Sequence, residues 1–272
     1  MVTGILSRIR SRARRTLSMA FARREVIMRN TEPLVSFTFD DFPRSALLTG
    51  GPILESFGAK GTFFCSLGLM GTTGYAIEMF CRDDLNDLLE RNHELGSHTY
   101  DHCHAWDTSS QEFEASILRN QEALQQCVSG ASFKIFSYPS SCPRPAIKRS
   151  TEKYFNCCRS GGHTFNAGSV DLNFVKSCFL EQAAGDFGLI SGWIDANSRA
   201  RGWLILTTHD ISEQPSRFGC TPSLFERTVR QVTRSGATIV TVSEGLNRIL
   251  DGDPVLSPAL RNVSHTKPIH VS

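Results

Sequence analysis

From Leu34 to Val242 short β-rich runs alternate with helical patterns, and that alternation admits few architectures. A chain that returns through a helix enters its next strand from the same end, so neighbouring strands run parallel. Local composition places candidate strands at 34–39, 62–66, 93–97, 133–138, 155–158, 203–207 and 237–242, a barrel-like count of seven. Candidate helices span 83–91, 145–154, 188–197 and 222–234. Another opens near Thr108, where Thr108 and Gln111 form a capping-box pattern, Phe113, Ile117, Gln121, Leu124 and Val128 share a face, and Gly130 supplies a stop. The expectation is an α/β domain built on a largely parallel sheet or barrel.

The 272 residues suffice for one full core, and the apolar stretches are too short to span a bilayer. The formal net charge of +2 conceals an asymmetry: residues 1–30 hold eight arginines and one glutamate, whereas the rest is net acidic. A nucleic-acid partner is not expected. The basic segment itself suits weak contact with a membrane surface, because Ile5, Ile9, Ala13, Leu17 and Phe21 recur every four residues among the arginines. Composition favours the plainer reading, a disordered leader or a true start at Met19 or Met28. Residues 31–250 then form the globular domain, and 251–272, with Pro254, Pro258 and Pro268, form a tail. Nine cysteines without a CxxC pair read as reduced thiols, with Cys157-Cys158 as core packing. Arginines interrupt the N-terminal apolar residues, so a cytoplasmic location is expected; Arg14-Arg15 invites twin-arginine export, but Arg23 and Arg24 shorten the segment that follows.

Chemistry concentrates at three strand ends. Asp40 and Asp41 follow the first strand, and neighbouring side chains on a regular strand face opposite ways, so the pair shares a pocket only if the strand has ended. Pro43 supplies an ending and should hold Phe42 extended. His98 and His102 are spaced as one helical turn, which aims two imidazoles at one ion. His104 and Cys103 offer a different ligand set. The strand 203–207 delivers His209-Asp210, where an imidazole is placed to protonate a leaving group; a surface His-Asp turn is the bland alternative. Trp106, Trp193 and Trp203 are candidate sugar platforms, though aromatic residues here are more simply core.

In order along the chain, Thr38-Phe39-Asp40-Asp41, His98-Thr99-Tyr100-Asp101-His102, Tyr138-Pro139 and His209-Asp210 resemble the polysaccharide deacetylases with a NodB homology domain, carbohydrate esterase family four. The resemblance covers about residues 33–247 and implies a distorted (β/α) barrel of about seven parallel strands. It implies one divalent metal ion, zinc before cobalt, manganese or nickel, held by Asp41, His98 and His102. It further implies Asp40 as general base, His209 as general acid, an oxyanion-binding backbone N–H at Ser140 after Tyr138-Pro139, and an acetylated oligo- or polysaccharide substrate.

Three positions depart from the family pattern. Ser137 stands where an arginine orients the base carboxylate, so Asp40 must find another partner or go without. Thr207 replaces a leucine that lines the acetyl pocket, which should make the pocket more polar. The family's Asp-Trp element has only weak candidates in Asp171, Asp186, Trp193 and Asp195. These departures motivate two competing functions, a catalytically impaired carbohydrate-binding barrel and a metal-dependent hydrolase of small non-sugar amides.

Overall fold

The computed structural model describes residues 2–74, 77–140 and 142–251, with side chains from residue 11 onward. Of the expected tail, only Asp251 falls inside these residues. Helix α1 (Val2–Ala20) leads to strands β1 (Glu25–Ile27), β2 (Leu34–Phe39) and β3 (Thr62–Cys65), then to a small hairpin, β4 (Thr73–Gly74) and β5 (Ile77–Glu78). Strands β6 (Glu94–Ser97), β7 (Ile135–Ser137), β8 (Cys157–Arg159), β9 (Ser169–Asp171), β10 (Cys178–Phe179), β11 (Trp203–Thr208) and β12 (Thr238–Ile239) follow. Helices α2 (Gly51–Ser56), α3 (Arg82–Glu90), α4 (Ser110–Cys127), α5 (Pro145–Thr151), α6 (Phe187–Ala200), α7 (Pro222–Arg234) and α8 (Val242–Leu250) fill the connections.

The main sheet runs β10-β11-β2-β3-β6-β7-β8 with every neighbour parallel, a distorted (β/α) barrel of seven strands. Its membership differs from the sequence expectation at one place. The segment expected at 237–242 contracts to β12, which pairs only with the start of β2, while β10 completes the row. Two residues are too few to show a strand period, so β10 left no sequence signal.

Both faces of β2 and β11 are covered, so all six residues of each are buried. Their polar members therefore pair inside the barrel. Trp203 Nε1 donates to Ser36 Oγ at 3.0 Å, and the Thr38 and Thr207 hydroxyls lie 2.9 Å apart. Trp203 is thus a core residue at the closed end, not a sugar platform. Thr207 likewise belongs to the interior, correcting the expectation that it makes the acetyl pocket more polar.

Helix α4 starts one residue later than expected, since Ser109 caps the Glu112 N–H and Glu112 caps Ser109 in return. Helix α5 stops at Thr151, short of the expected 154.

The N-terminal segment is tied to the body. Strand β1 pairs antiparallel with β9 and buries Val26. Lys148 Nζ, whose side chain is fully buried, donates to the Ser18 and Phe21 carbonyls at 2.8 and 2.9 Å and to Asp171 Oδ2 at 2.7 Å. Replacing one partner of such a pair leaves the other charge buried and unpaired. Lys148→Met should cost about 3 kcal/mol, read as a lowered urea midpoint, and should speed tryptic cleavage within residues 11–24.

Candidate active site

The first site element forms where β2 ends. The Asp40 N–H still donates to Thr208 O at 3.1 Å, but Asp41 and Phe42 then turn left-handed, with φ of 62° and 54°. That reversal turns consecutive carboxylates toward one pocket. Phe42 is therefore not the extended residue that Pro43 led one to expect. Its ring is buried between Phe80 and Phe63, with centroids 4.8 and 5.1 Å away, and this packing offsets a backbone cost of about 1–3 kcal/mol.

His98 follows β6 directly, its N–H donating to Cys65 O at 3.0 Å. The four-residue spacing to His102 does not rest on a helical turn. Thr99 and His102 have φ of 60° and 49°, and the loop is braced from α4 by Ser116 Oγ, which accepts from the Tyr100 and Asp101 N–H groups at 3.0 and 3.1 Å.

Asp41, His98 and His102 offer three ligand atoms within 4.8 Å of one another. Asp41 Oδ1 lies 3.5 Å from His98 Nε2 and 3.2 Å from His102 Nε2, and it is a buried oxygen with no hydrogen-bond partner. His98 Nδ1 donates to Ser137 O at 2.7 Å, which fixes the tautomer that leaves Nε2 free to ligate. Burial also holds the His98 pKa down to about 4, so the ring is neutral. An orphaned carboxylate oxygen facing two imidazole nitrogens fits a divalent ion of borderline softness. The rival ligand set is not assembled: His104 Nδ1 accepts from the Trp106 N–H at 3.2 Å and faces Asp107, and Cys103 stands apart.

Asp40 is buried and bound by an arginine that sequence reasoning missed. Arg159 Nη2 donates to both Asp40 oxygens, at 2.5 Å to Oδ1, and to Ser137 Oγ. Arg159 pairs in register with Ser137 on the neighbouring strand, so the guanidinium absent at 137 arrives one strand over. Its other amino group reaches Ser177 Oγ at 3.1 Å and Thr207 Oγ1 at 3.5 Å. Burial alone would push the Asp40 carboxyl up, but neighbouring positive charge, the Arg159 guanidinium first, more than offsets this and holds it below its usual value. The only sequence hint was an arginine closing the apolar run Cys157-Cys158, and register alone reveals its target.

Asp40, Asp41, His98 and His102 line a cavity of about 370 Å³ together with Tyr138, Ser140, Phe179, Glu181, Gln182, His209, Arg217 and Phe218. His209 stands just past β11, its Nε2 4.0 Å from Asp41 Oδ2 and its Nδ1 buried without a partner. Asp210 turns the other way, accepting from the Ser216 N–H at 2.8 Å and hydroxyl at 2.6 Å, which clamps the loop beyond. Ser140, with φ of 59°, borders the cavity, whereas the Tyr138 hydroxyl bonds Thr151 at 2.6 Å and contributes no polar group there.

None of Asp171, Asp186, Trp193 and Asp195 lines the cavity. Asp171 binds Lys148 and Asp186 caps α6. Glu181 occupies the wall instead. Burial raises its pKa to about 7, and Oε2 has no hydrogen-bond partner. Trp106 lies under Arg14, 5.1 Å from the guanidinium to the ring centre, and Trp193 packs on the core; neither is a cavity wall.

The family model for polysaccharide deacetylase matches residues 28–155. Over those residues, just under half of its length, the chain is similar to this family. Solved structures of similar fold include the chitin deacetylase of Colletotrichum lindemuthianum, at 20% identity and TM-score 0.58, covering 83% of this chain and 93% of that one. The Xyl-CE4 domain of a xylanase from the Trinervitermes trinervoides hindgut metagenome matches at 20% identity and TM-score 0.55, covering 80% and 91%. A CE4-family pseudoenzyme of Bacillus anthracis matches at 13% identity and TM-score 0.58, covering 81% and 67%. At these identities the likeness concerns the fold. No curated protein matches the sequence.

The barrel thus holds Asp40 with an arginine from the neighbouring strand. In Arg159→Met, burial should dominate and lift the Asp40 carboxyl. Carbon-13 NMR of the metal-free protein should find its titration below about 3.9 in the wild type and above that value in the variant. Equal midpoints would remove Arg159 from this role.

Proposed function

We propose that the protein is a divalent-metal-dependent hydrolase that removes acetyl groups from an N- or O-acetylated oligo- or polysaccharide. The observation that carries this reading is Asp40, held from behind by the buried Arg159, set in one cavity beside the Asp41, His98 and His102 group. A bound ion, with zinc suiting the donor set best, supplies Lewis acidity that acidifies the attacking water and polarises the acetyl carbonyl.

The chain's own residues do the remaining work. Asp40 is ionised and held in one orientation, so it accepts the proton from the attacking water. Ser140 borders the cavity, and its backbone N–H is the donor this reading assigns to the developing oxyanion. His209 faces the same cavity from β11 and donates a proton to the departing amine or alcohol. Glu181, Gln182 and Arg217 add polar wall and Phe179 and Phe218 add apolar wall, against which a sugar ring can be placed.

A barrel that had lost catalysis would have no use for an arginine that restores the base's partner. Arg159 therefore weighs against the impaired-barrel reading, although the fold alone accommodates inactive members, as the Bacillus anthracis neighbour illustrates.

Acetate release from chitooligosaccharides, peptidoglycan fragments and acetylated xylan, measured with and without chelator, tests the function. Activity should vanish with chelator and return with zinc. Asp40→Asn should retain about one ion per chain by elemental analysis and lose roughly 10²–10⁴ in kcat. Full acetate release by the metal-free protein would refute the reading.

A further inference from the structure

Helix α1 is docked with its amphipathicity reversed. A surface helix ordinarily turns its apolar stripe inward. Here the inward side is polar: Ser18 is buried, Arg14 Nη2 meets Asp107 Oδ1 at 2.7 Å, and Arg15 donates to Gly162 O. Ala13, Thr16, Leu17, Met19 and Ala20 face solvent, and Phe21 beyond the helix end does the same. The described members of the four-residue apolar series, Ala13, Leu17 and Phe21, thus lie on the exposed side.

The exposure is concentrated. Among the described residues seven large apolar side chains are exposed, and four belong to this segment: Leu17, Met19, Phe21 and Ile27, at 44, 37, 54 and 62%. Cations accompany them. Arg12, Arg23 and Arg29 are exposed, Arg23 beside Glu25 at 2.9 Å, whereas Arg14, Arg15 and Arg24 bond to the barrel.

We propose that this face of the N-terminal segment docks on an anionic lipid bilayer. Apolar side chains flanked by arginines match the headgroup boundary, where hydrocarbon burial and attraction to anionic lipid act together. Charge complementarity selects anionic lipid over a neutral surface. The exposed aliphatic and aromatic groups select a bilayer over nucleic acid, whose phosphates reward arginine but not leucine. The segment is fixed to the barrel, so docking would orient the whole domain. Asp107 and Gly162, which grip α1, lie on loops that follow β6 and β8, the same strand ends that carry the cavity. A bilayer-tethered glycan is then the substrate class nearest to hand; that last step rests on the deacetylase reading, whereas the docking does not.

Co-sedimentation of the full chain with phosphatidylcholine vesicles, with and without phosphatidylglycerol, tests the surface. Binding should require phosphatidylglycerol and weaken as salt rises. Each arginine near such a surface contributes about fivefold in affinity, so Arg12→Gln with Arg29→Gln should lower binding by at least about tenfold. Leu17→Ser with Phe21→Ser should abolish most of it while leaving circular dichroism and acetate release from soluble substrate unchanged. Absence of vesicle binding at low salt, equal binding to neutral vesicles, undiminished binding by the folded Leu17→Ser/Phe21→Ser protein, or stronger binding to duplex DNA would each overturn the proposal. Failure of acetate release alone would leave vesicle binding intact and count only against the enzymatic reading.

Discussion

The buried ion pair between Asp40 and Arg159 is the constraint around which the interior is arranged. A carboxylate this deep in a barrel is costly to ionise, and its attraction to a guanidinium repays that only when the remaining donors also find partners. The interior supplies them. Ser137, Ser177 and Thr207 ring the guanidinium with hydroxyls, while the Phe64 and Phe179 rings lie 5.3 and 5.4 Å from it. Thr207, which looks like a lost pocket wall from the sequence, is one of these supports. Ser137 serves twice, its hydroxyl meeting Arg159 and its carbonyl fixing His98. The two departures from the family pattern are thus one compensated change.

Around this pair, the strand ends are bent into backbone conformations that side-chain-bearing residues seldom adopt. Asp41, Phe42, Thr99, His102 and Ser140 all have positive φ. Such geometry persists only where surrounding packing over-determines it. Phe42 is locked by Phe63 and Phe80, and the 98–102 loop is held by Ser116 and by Thr99 Oγ1, which accepts the Cys103 N–H at 3.2 Å. The rigid aromatic core thereby reaches the chemistry. It sets where two carboxylates and three imidazoles converge.

The N-terminal segment adds a second layer of organisation. Its backbone is bound by Lys148, by β9 and by Arg24, which donates to Asn156 O at 2.6 Å, so it behaves as part of the domain's wall. With its polar side spent on the barrel, its apolar side is left outward. The cavity and the anchorage of α1 therefore draw on the same strand ends.

Alternating strand and helix patterns were enough to read the barrel, because parallel pairing follows from helical connections whatever their details. That Asp40, Asp41, His98, His102 and His209 come together was legible because each lies at or just beyond a strand end, and strand ends in such folds share one rim. Other features needed the folded chain. Residue spacing suggested a helical turn between His98 and His102, but contacts to α4 built a loop instead. Extended geometry expected before Pro43 gave way to burial of Phe42. The partner of Asp40 was hidden because an arginine at 159 and a serine at 137 become equivalent only through the pairing of β7 with β8. Local sequence determined which groups were present and at which end of the barrel; strand register, which depends on contacts distant in the chain, decided which of them meet.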